Sequence, residues 1–166
     1  DAVYKTKKFI TDKYFLMLLP DDLIIKKNCS KSMIAVHQKF KASVMASMKV
    51  NKSDVSRWGI YNIKKKIDKN NFIINSVVEK PSIKTSPSNN AVIGRYILPK
   101  TIFSKLKSLK PGKNGEFHIT DAIQALIDDD HQFIGHNFPG KYLDCGTMKG
   151  YIKSTLEISK KWNFAW

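Results

Sequence analysis

Two adjacent carboxylates, Asp21 and Asp22, follow a run of six large apolar residues, Tyr14 to Leu19, with only Pro20 between. Such a run reads as a strand buried on both faces, the usual state of a central parallel strand. Pro20 has no backbone N–H to donate, so the ladder stops there. The carboxylates then emerge at the carboxyl end of a buried strand, the edge where open α/β sheets bind ligands. Two negative charges side by side repel each other unless a cation or a basic group compensates them. The chemistry that suits the pair is capture of a cation. Aspartate is also a common turn former and helix N-cap, and in that reading Asp22 caps a helix through Leu23, Ile24 and Ile25.

Other loops carry reactive residue types in similar positions. Val78-Glu79-Lys80-Pro81 sets an acid and a base at the end of a β-branched strand; its plain reading is a surface ion pair. Asp144-Cys145-Gly146-Thr147 sets a carboxylate and a glycine at a strand-to-helix turn, and Gly115-Glu116 precedes Thr120-Asp121-Ala122.

The elements that must position these groups alternate along the chain. Leu23 to Phe40 has a broadly helical pattern, and Ala42 to Val50 reads as a strand. A short turn at Ser53-Asp54 leads to Trp58-Gly59-Ile60-Tyr61. Phe72 to Val78 and Ala91 to Leu98 read as strands, with a Pro-, Ser- and Asn-rich loop from Pro81 to Asn90 between them. Pro99 stands near the start of a helix to Leu109. Pro111 to Gly115 reads as a flexible loop. Thr120 is a candidate N-cap for a helix from Asp121 to Ile127. Short strands follow at Phe133–Phe138 and Lys141–Leu143, and Thr147 is placed to cap a closing helix from Met148 to Lys160. This alternation argues an α/β fold with a mainly parallel sheet, and the length suits one domain over residues 1–166.

The formal charge is +15, yet Arg57 and Arg95 are the only arginines. Arginine is the preferred side chain for bidentate phosphate and guanine contacts, so the charge reads as a solvated lysine surface and no specific nucleic-acid partner is expected. Lys64-Lys65-Lys66 is the longest basic run. No apolar run approaches the ~20 residues of a membrane span. Cys29 and Cys145 are too few for a disulfide framework or a zinc site, and a reducing cytoplasm is the default setting.

Taken together, these stretches resemble the bacterial UTP–glucose-1-phosphate uridylyltransferases. The matching segments are Leu18 to Ile24, Val55 to Ile60, Val77 to Pro81, Pro87-Ser88-Asn89, Ile93 to Leu98, Gly115-Glu116 with Thr120 to Ile123, and Tyr142 to Gly146 with Gly150-Tyr151. They run in family order across nearly the whole chain. The resemblance implies a Rossmann-like nucleotide-sugar pyrophosphorylase fold, an α/β/α sandwich. It implies uridylyl transfer from UTP to glucose 1-phosphate, giving UDP-glucose and pyrophosphate. It assigns Mg²⁺ to Asp21 and Asp144, sugar hydroxyls to Glu79, the sugar phosphate to Lys80, and the walls of the sugar pocket to Gly59, Val92 and Gly94. Asp21 and Lys80 are then the catalytic pair. Relatives of this kind are often dimers or tetramers.

The physics of such a reaction agrees. Phosphoryl-type transfer asks a protein mainly for positioning and charge neutralisation. Mg²⁺ takes one or two carboxylates together with phosphate oxygens. The departure is at the start: the family's glycine-rich opening, which cradles the triphosphate, has no counterpart here, so the chain is expected to begin well inside the family's length and to be inactive alone. Trp58 stands where a tyrosine is more usual. The tail Trp162 to Trp166 has no match. The alternative is a non-catalytic remnant or a basic polyanion-binding module.

Overall fold

The run that begins at Tyr14 does form a strand, β1 (Tyr14–Leu18), but not a central parallel one. The structure is a computed structural model that describes residues 2–110 and 117–162. In it β1 pairs with a single strand, β6 (Asn90–Pro99), and antiparallel. Leu16 and Leu18 are 37% and 49% exposed, so one face of β1 is open among the described residues. An apolar run reports how much surface a strand can bury. It does not specify which strand lies beside it, and that is why the expectation failed.

The main sheet has six strands. Besides β1 and β6 these are β3 (Ser43–Lys49), β4 (Gly59–Lys66), β5 (Asn71–Glu79) and β7 (Phe133–Asn137), in the order β1-β6-β3-β7-β5-β4. Only the β3–β7 pair is parallel, which corrects the expectation of a mainly parallel sheet. The tight β4–β5 connection can only join antiparallel neighbours, whereas β3 and β7 are far apart in sequence and free to run the same way. β1 and β3 are both antiparallel to β6, so β1, β3 and β7 still present their carboxyl ends at one edge.

Ile60 of β4 also pairs with Ala91 of β6, which closes β6, β3, β7, β5 and β4 into a ring. Tyr61 is fully buried, and its hydroxyl donates to the Ala46 carbonyl of β3 at 2.8 Å. Its ring meets Phe72 edge-on.

Helices cover the sheet through two apolar clusters. On one, α3 (Ile102–Ser108) and α4 (Ile119–Asp128) bury Ile102, Phe103, Ile123 and Leu126 against Met45, Leu98 and Phe133. On the other, α2 (Cys29–Phe40) buries Cys29, Met33 and Val36 against Val44, Ala46, Ile97 and Ile134. Each large side chain so buried contributes about 1.5–3 kcal/mol of transfer free energy. A four-residue helix, α1 (Ala2–Lys5), opens the chain, and α5 (Met148–Trp162) closes the described part.

Several local expectations are refined. Asp22–Ile25 is a strand, β2, paired antiparallel with β8 (Lys141–Asp144); Asp22 therefore caps no helix. α2 begins only at Cys29, where the Asn28 side chain accepts the Lys31 N–H at 2.9 Å. β4 was not expected, because its Lys64-Lys65-Lys66 end looks like a solvated run and bulges near Ile63 spoil its alternation. α4 starts one residue before Thr120, which lies inside the helix instead of capping it. Thr147 does cap α5: its hydroxyl accepts the Gly150 N–H at 3.0 Å. The loop from Pro111 to Gly115, the Gly115-Glu116 match and the tail from Asn163 lie outside the described residues.

Candidate functional site

β2 and β8 bring the two ends of the motif series together. Their register sets Asp22 opposite Asp144, and the Cys145 N–H donates to the Asp21 carbonyl at 2.8 Å. The carboxylates of Asp21 and Asp144 meet beside Gly146. A Cβ on residue 146 would lie 2.8 Å from Asp21 Oδ2 and 3.4 Å from Asp144 Oδ1. The Gly146 N–H donates to Asp144 Oδ1 at 2.9 Å. Two carboxylates therefore face a space that only glycine leaves open, one exposed and one half-buried. No group of three or more His, Cys, Asp or Glu gathers among the described residues. The donor set fits a hard dication that takes two protein oxygens and draws the rest from water and phosphate, as Mg²⁺ does.

Asp22 has a different task. It accepts the Gly94 N–H at 2.6 Å on Oδ2 and the Tyr142 hydroxyl on Oδ1. Gly94 permits this close approach: a Cβ there would stand 2.4 Å from Asp22 Oδ2 and 2.5 Å from Leu19 Cδ1. Arg95 clamps the same turn, donating to the Leu19 carbonyl at 2.8 Å and to the Asp22 carbonyl. The turn that carries Asp21 is thus held by backbone and guanidinium contacts, which leaves the Asp21 carboxylate free to face outward. Burial first, then the hydrogen bond to Asp22 and the charges of Asp22, Asp144 and Asp21, push the Tyr142 hydroxyl pKa up, so it remains a donor.

The second half of the site lies where β4 and β6 begin. A Cβ on Gly59 would stand 3.0 Å from Glu79 Oε2 and 3.4 Å from Val92 Cγ2, so Gly59, Glu79 and Val92 adjoin one another. Val92 and Gly94 are two residues apart on β6 and share a face. The Tyr96 hydroxyl is pushed up by burial and by the charges of both Asp22 and Glu79, so the two halves act on a common group. Lys80 directly follows Glu79. Its N–H donates to the Trp58 carbonyl at 3.0 Å, and its backbone is left-handed at φ 45°. Such a conformation is uncommon outside glycine and is held here by the turn after β5. The Lys80 side chain is exposed and has no ion-pair partner among the described residues.

The structure therefore gathers Asp21 with Asp144, and Gly59 with Glu79 and Val92, and Asp22 links to Gly94 beside them. Residue types and spacing alone did not reveal Tyr142, Arg95 and Trp58 as the frame of the site. Trp58 meets Tyr142 edge-on at 5.6 Å and so ties the β4 start to the Asp22 partner. The only sequence signal was their place inside the matching segments.

Comparison with known proteins supplies independent findings. The nucleotidyl transferase family model matches residues 1–161. A curated protein of Methanocaldococcus jannaschii, named putative UTP–glucose-1-phosphate uridylyltransferase, is 35% identical over 158 residues, covering 95% of this chain and 55% of the relative. A UTP–glucose-1-phosphate uridylyltransferase of Pseudomonas aeruginosa is 34% identical over 157 residues, covering 93% of this chain and 56% of its own. A crystal structure of UDP-glucose pyrophosphorylase complexed with UDP-glucose superposes with TM-score 0.89 at 36% identity, over 96% of this chain and 61% of that one. The chain thus spans about half the length of the curated relatives it matches.

Proposed function

Because the chain belongs to the nucleotidyl transferase family, we propose that it carries the sugar-phosphate and metal half of a UTP–glucose-1-phosphate uridylyltransferase. The observation that supports this most is the convergence of Asp21 and Asp144 beside Gly146, while Glu79 and Val92 flank Gly59 and Asp22 binds Gly94, two residues along β6 from Val92. In the proposed reaction a phosphate oxygen of glucose 1-phosphate attacks the α-phosphorus of UTP. The bond from that phosphorus to the β-phosphate oxygen breaks, and pyrophosphate leaves.

Each residue has a task that its place supports. Asp21 and Asp144 would hold Mg²⁺, which supplies neutralisation of phosphate charge when bound. Glu79, a carboxylate at the end of β5, accepts hydrogen bonds from sugar hydroxyls. Gly59 and Gly94 let the sugar approach backbone, with Val92 as an apolar wall. Lys80 offers a compact positive charge to the sugar phosphate. No side-chain nucleophile is needed. Single-domain organisation over residues 1–166, a cytoplasmic setting and a homo-oligomer belong to the same reading; no helix among the described residues is long and apolar enough to cross a membrane.

Titration of glucose 1-phosphate into the chain with Mg²⁺, followed by ¹H–¹⁵N NMR, tests the reading. Saturable shifts at Gly59, Glu79 and Gly94 are expected, with glucose 6-phosphate weaker. Equal response to both sugar phosphates, or shifts confined to lysines, would overturn it. By itself the 166-residue chain is expected to make no UDP-glucose from UTP and glucose 1-phosphate, since it spans only about half of the relatives' length.

A further inference from the structure

β1 lies at one end of the main sheet, with β6 beside it and no strand on its other side among the described residues. Two flanking contacts show which way its backbone groups point. The Lys100 N–H donates to the Lys13 carbonyl and the Leu19 N–H to the Gly94 carbonyl, both at 2.8 Å. These contacts continue the register that pairs Phe15 with Leu98 and Met17 with Tyr96. Bonded and unbonded pairs alternate in an antiparallel ladder. Phe15, Met17 and Leu19 therefore bond towards β6, and the N–H and C=O groups of Tyr14, Leu16 and Leu18 point to the open edge.

Nothing in the strand blunts this edge. Sheet edges commonly carry lysine, proline or a bulge that keeps other strands away. β4 has two of these, ending in Lys64-Lys65-Lys66 with its register slipping near Ile63. β1 is Tyr-Phe-Leu-Met-Leu, uncharged and in unbroken register with β6. The residues with open backbone groups also share one face of the strand. On that face Leu16 and Leu18 are exposed.

The edge is complementary to a copy of itself. Laid antiparallel across a two-fold axis at Leu16, Leu16 of one copy stands opposite Leu16 of the other, and Tyr14 stands opposite Leu18. All three pairs then exchange hydrogen bonds, because all three residues offer their open groups to the edge. An axis at Phe15 or Met17 would leave only two such pairs. The same register gathers the exposed leucines of both copies on one face. Charge agrees: Lys7, Lys8 and Lys13 precede the strand and Asp21 follows it. Antiparallel pairing turns the basic start of one copy towards the acidic end of the other.

We infer that two copies of this chain pair antiparallel through Tyr14–Leu18 and join their sheets across a closed two-fold interface. The pairing does not rest on the uridylyltransferase reading. Self-association and sugar-phosphate binding are measured separately, and either can fail without the other.

Sedimentation velocity on the whole chain over a range of concentrations reads the mass, and amide hydrogen exchange followed by NMR reads the edge. A monomer–dimer equilibrium is expected, with the Tyr14, Leu16 and Leu18 amides exchanging more slowly as concentration rises. Leu16→Lys sets two lysines opposite each other on the axis and should weaken the dimer about tenfold. Leu16→Pro removes an N–H that β6 does not use, so the ladder within one copy stays intact while the dimer weakens by a similar factor. Leu156→Lys, at an exposed position on α5, should leave the dimer unchanged. A chain that is monomeric at every concentration would overturn the proposal, and would leave the edge to a strand from the additional length of the relatives. Exchange at the three amides that ignores concentration would overturn it too. So would a mass that grows without limit, or a dimer lost in Leu156→Lys and kept in both Leu16 variants.

Discussion

Asp21 and Asp144 come from opposite ends of the chain, yet their carboxylates stand 2.8 and 3.4 Å from one point beside Gly146. A methyl group placed at that point must push Asp21 Oδ2, the end of an exposed side chain, away from Asp144. Gly146→Ala is therefore expected to weaken Mg²⁺ binding about tenfold, a change of ~1.4 kcal/mol. Calorimetric titration with Mg²⁺ measures it. Unchanged affinity would remove the metal from this position.

Gly94→Ala should damage the fold itself. Its Cβ would come within 2.4 Å of Asp22 Oδ2 and 2.6 Å of Leu19 Cβ, in a buried strand with neighbours on both sides. Overpacking of this kind costs about 1–3 kcal/mol. Urea unfolding of the variant beside the parent chain gives the value, and a loss under half a kilocalorie would show that the Asp22 turn is soft.

Tyr142→Phe keeps the ring against Trp58 and deletes the donor to Asp22 Oδ1. A loss of about 1–3 kcal/mol is expected, because the half-buried carboxylate keeps its charge and loses a partner. The pH dependence follows from the raised pKa. Below the ordinary tyrosine value of 10.0 both folded and unfolded states hold the proton, and the contribution is fully present. Above it the unfolded chain releases the proton first, so stability falls as pH rises. Tyr61 and Tyr96, also raised by burial, act in the same direction. Unfolding curves at pH 8 and pH 11 should therefore converge partly, not wholly, in the Phe variant.

In a chain completed to the length of its relatives, Lys80→Ala should reduce turnover far more than Lys64→Ala, Lys65→Ala or Lys66→Ala. The proposed phosphate contact is worth ~2–4 kcal/mol when the site is closed around substrate. A solvated lysine contributes about 0–1 kcal/mol. Glu79→Gln should chiefly raise the KM for glucose 1-phosphate, since an amide accepts sugar hydroxyls less strongly than a carboxylate. Steady-state kinetics with each substrate varied separates these effects; equal damage from the lysine run would favour general polyanion binding.

Much of this was legible in residue patterns. The β-branched runs at Phe72–Val78 and Ala91–Leu98 became β5 and β6 because such side chains pack well on a pleated surface. The resemblance pointed to Asp21, Asp144, Gly59 and Glu79, and the fold sets Asp21 beside Asp144 and Gly59 beside Glu79. Pairing was not legible. Tyr14–Leu18 gives no hint that its neighbour is an antiparallel strand some eighty residues later. Leu23 to Ile25 looked helical because short apolar stretches fit either period, and the partner that makes them a strand, β8, is remote. The work of Asp22 was hidden for the same reason, since its partners Gly94 and Tyr142 are set by topology and not by local sequence.

The position of β7 between β3 and β5, together with the β2–β8 pair, has a bearing on how the chain is made. A ribosome delivers β1 to β6 first, and these strands cannot complete the ring while β7 is still unsynthesised. Until Phe133 to Asn137 arrive, β3 and β5 each expose an edge with unpaired N–H and C=O groups. Synthesis that stalls before β7 thus releases a chain whose two bare edges will pair with the next strand they meet, including one from a second stalled copy.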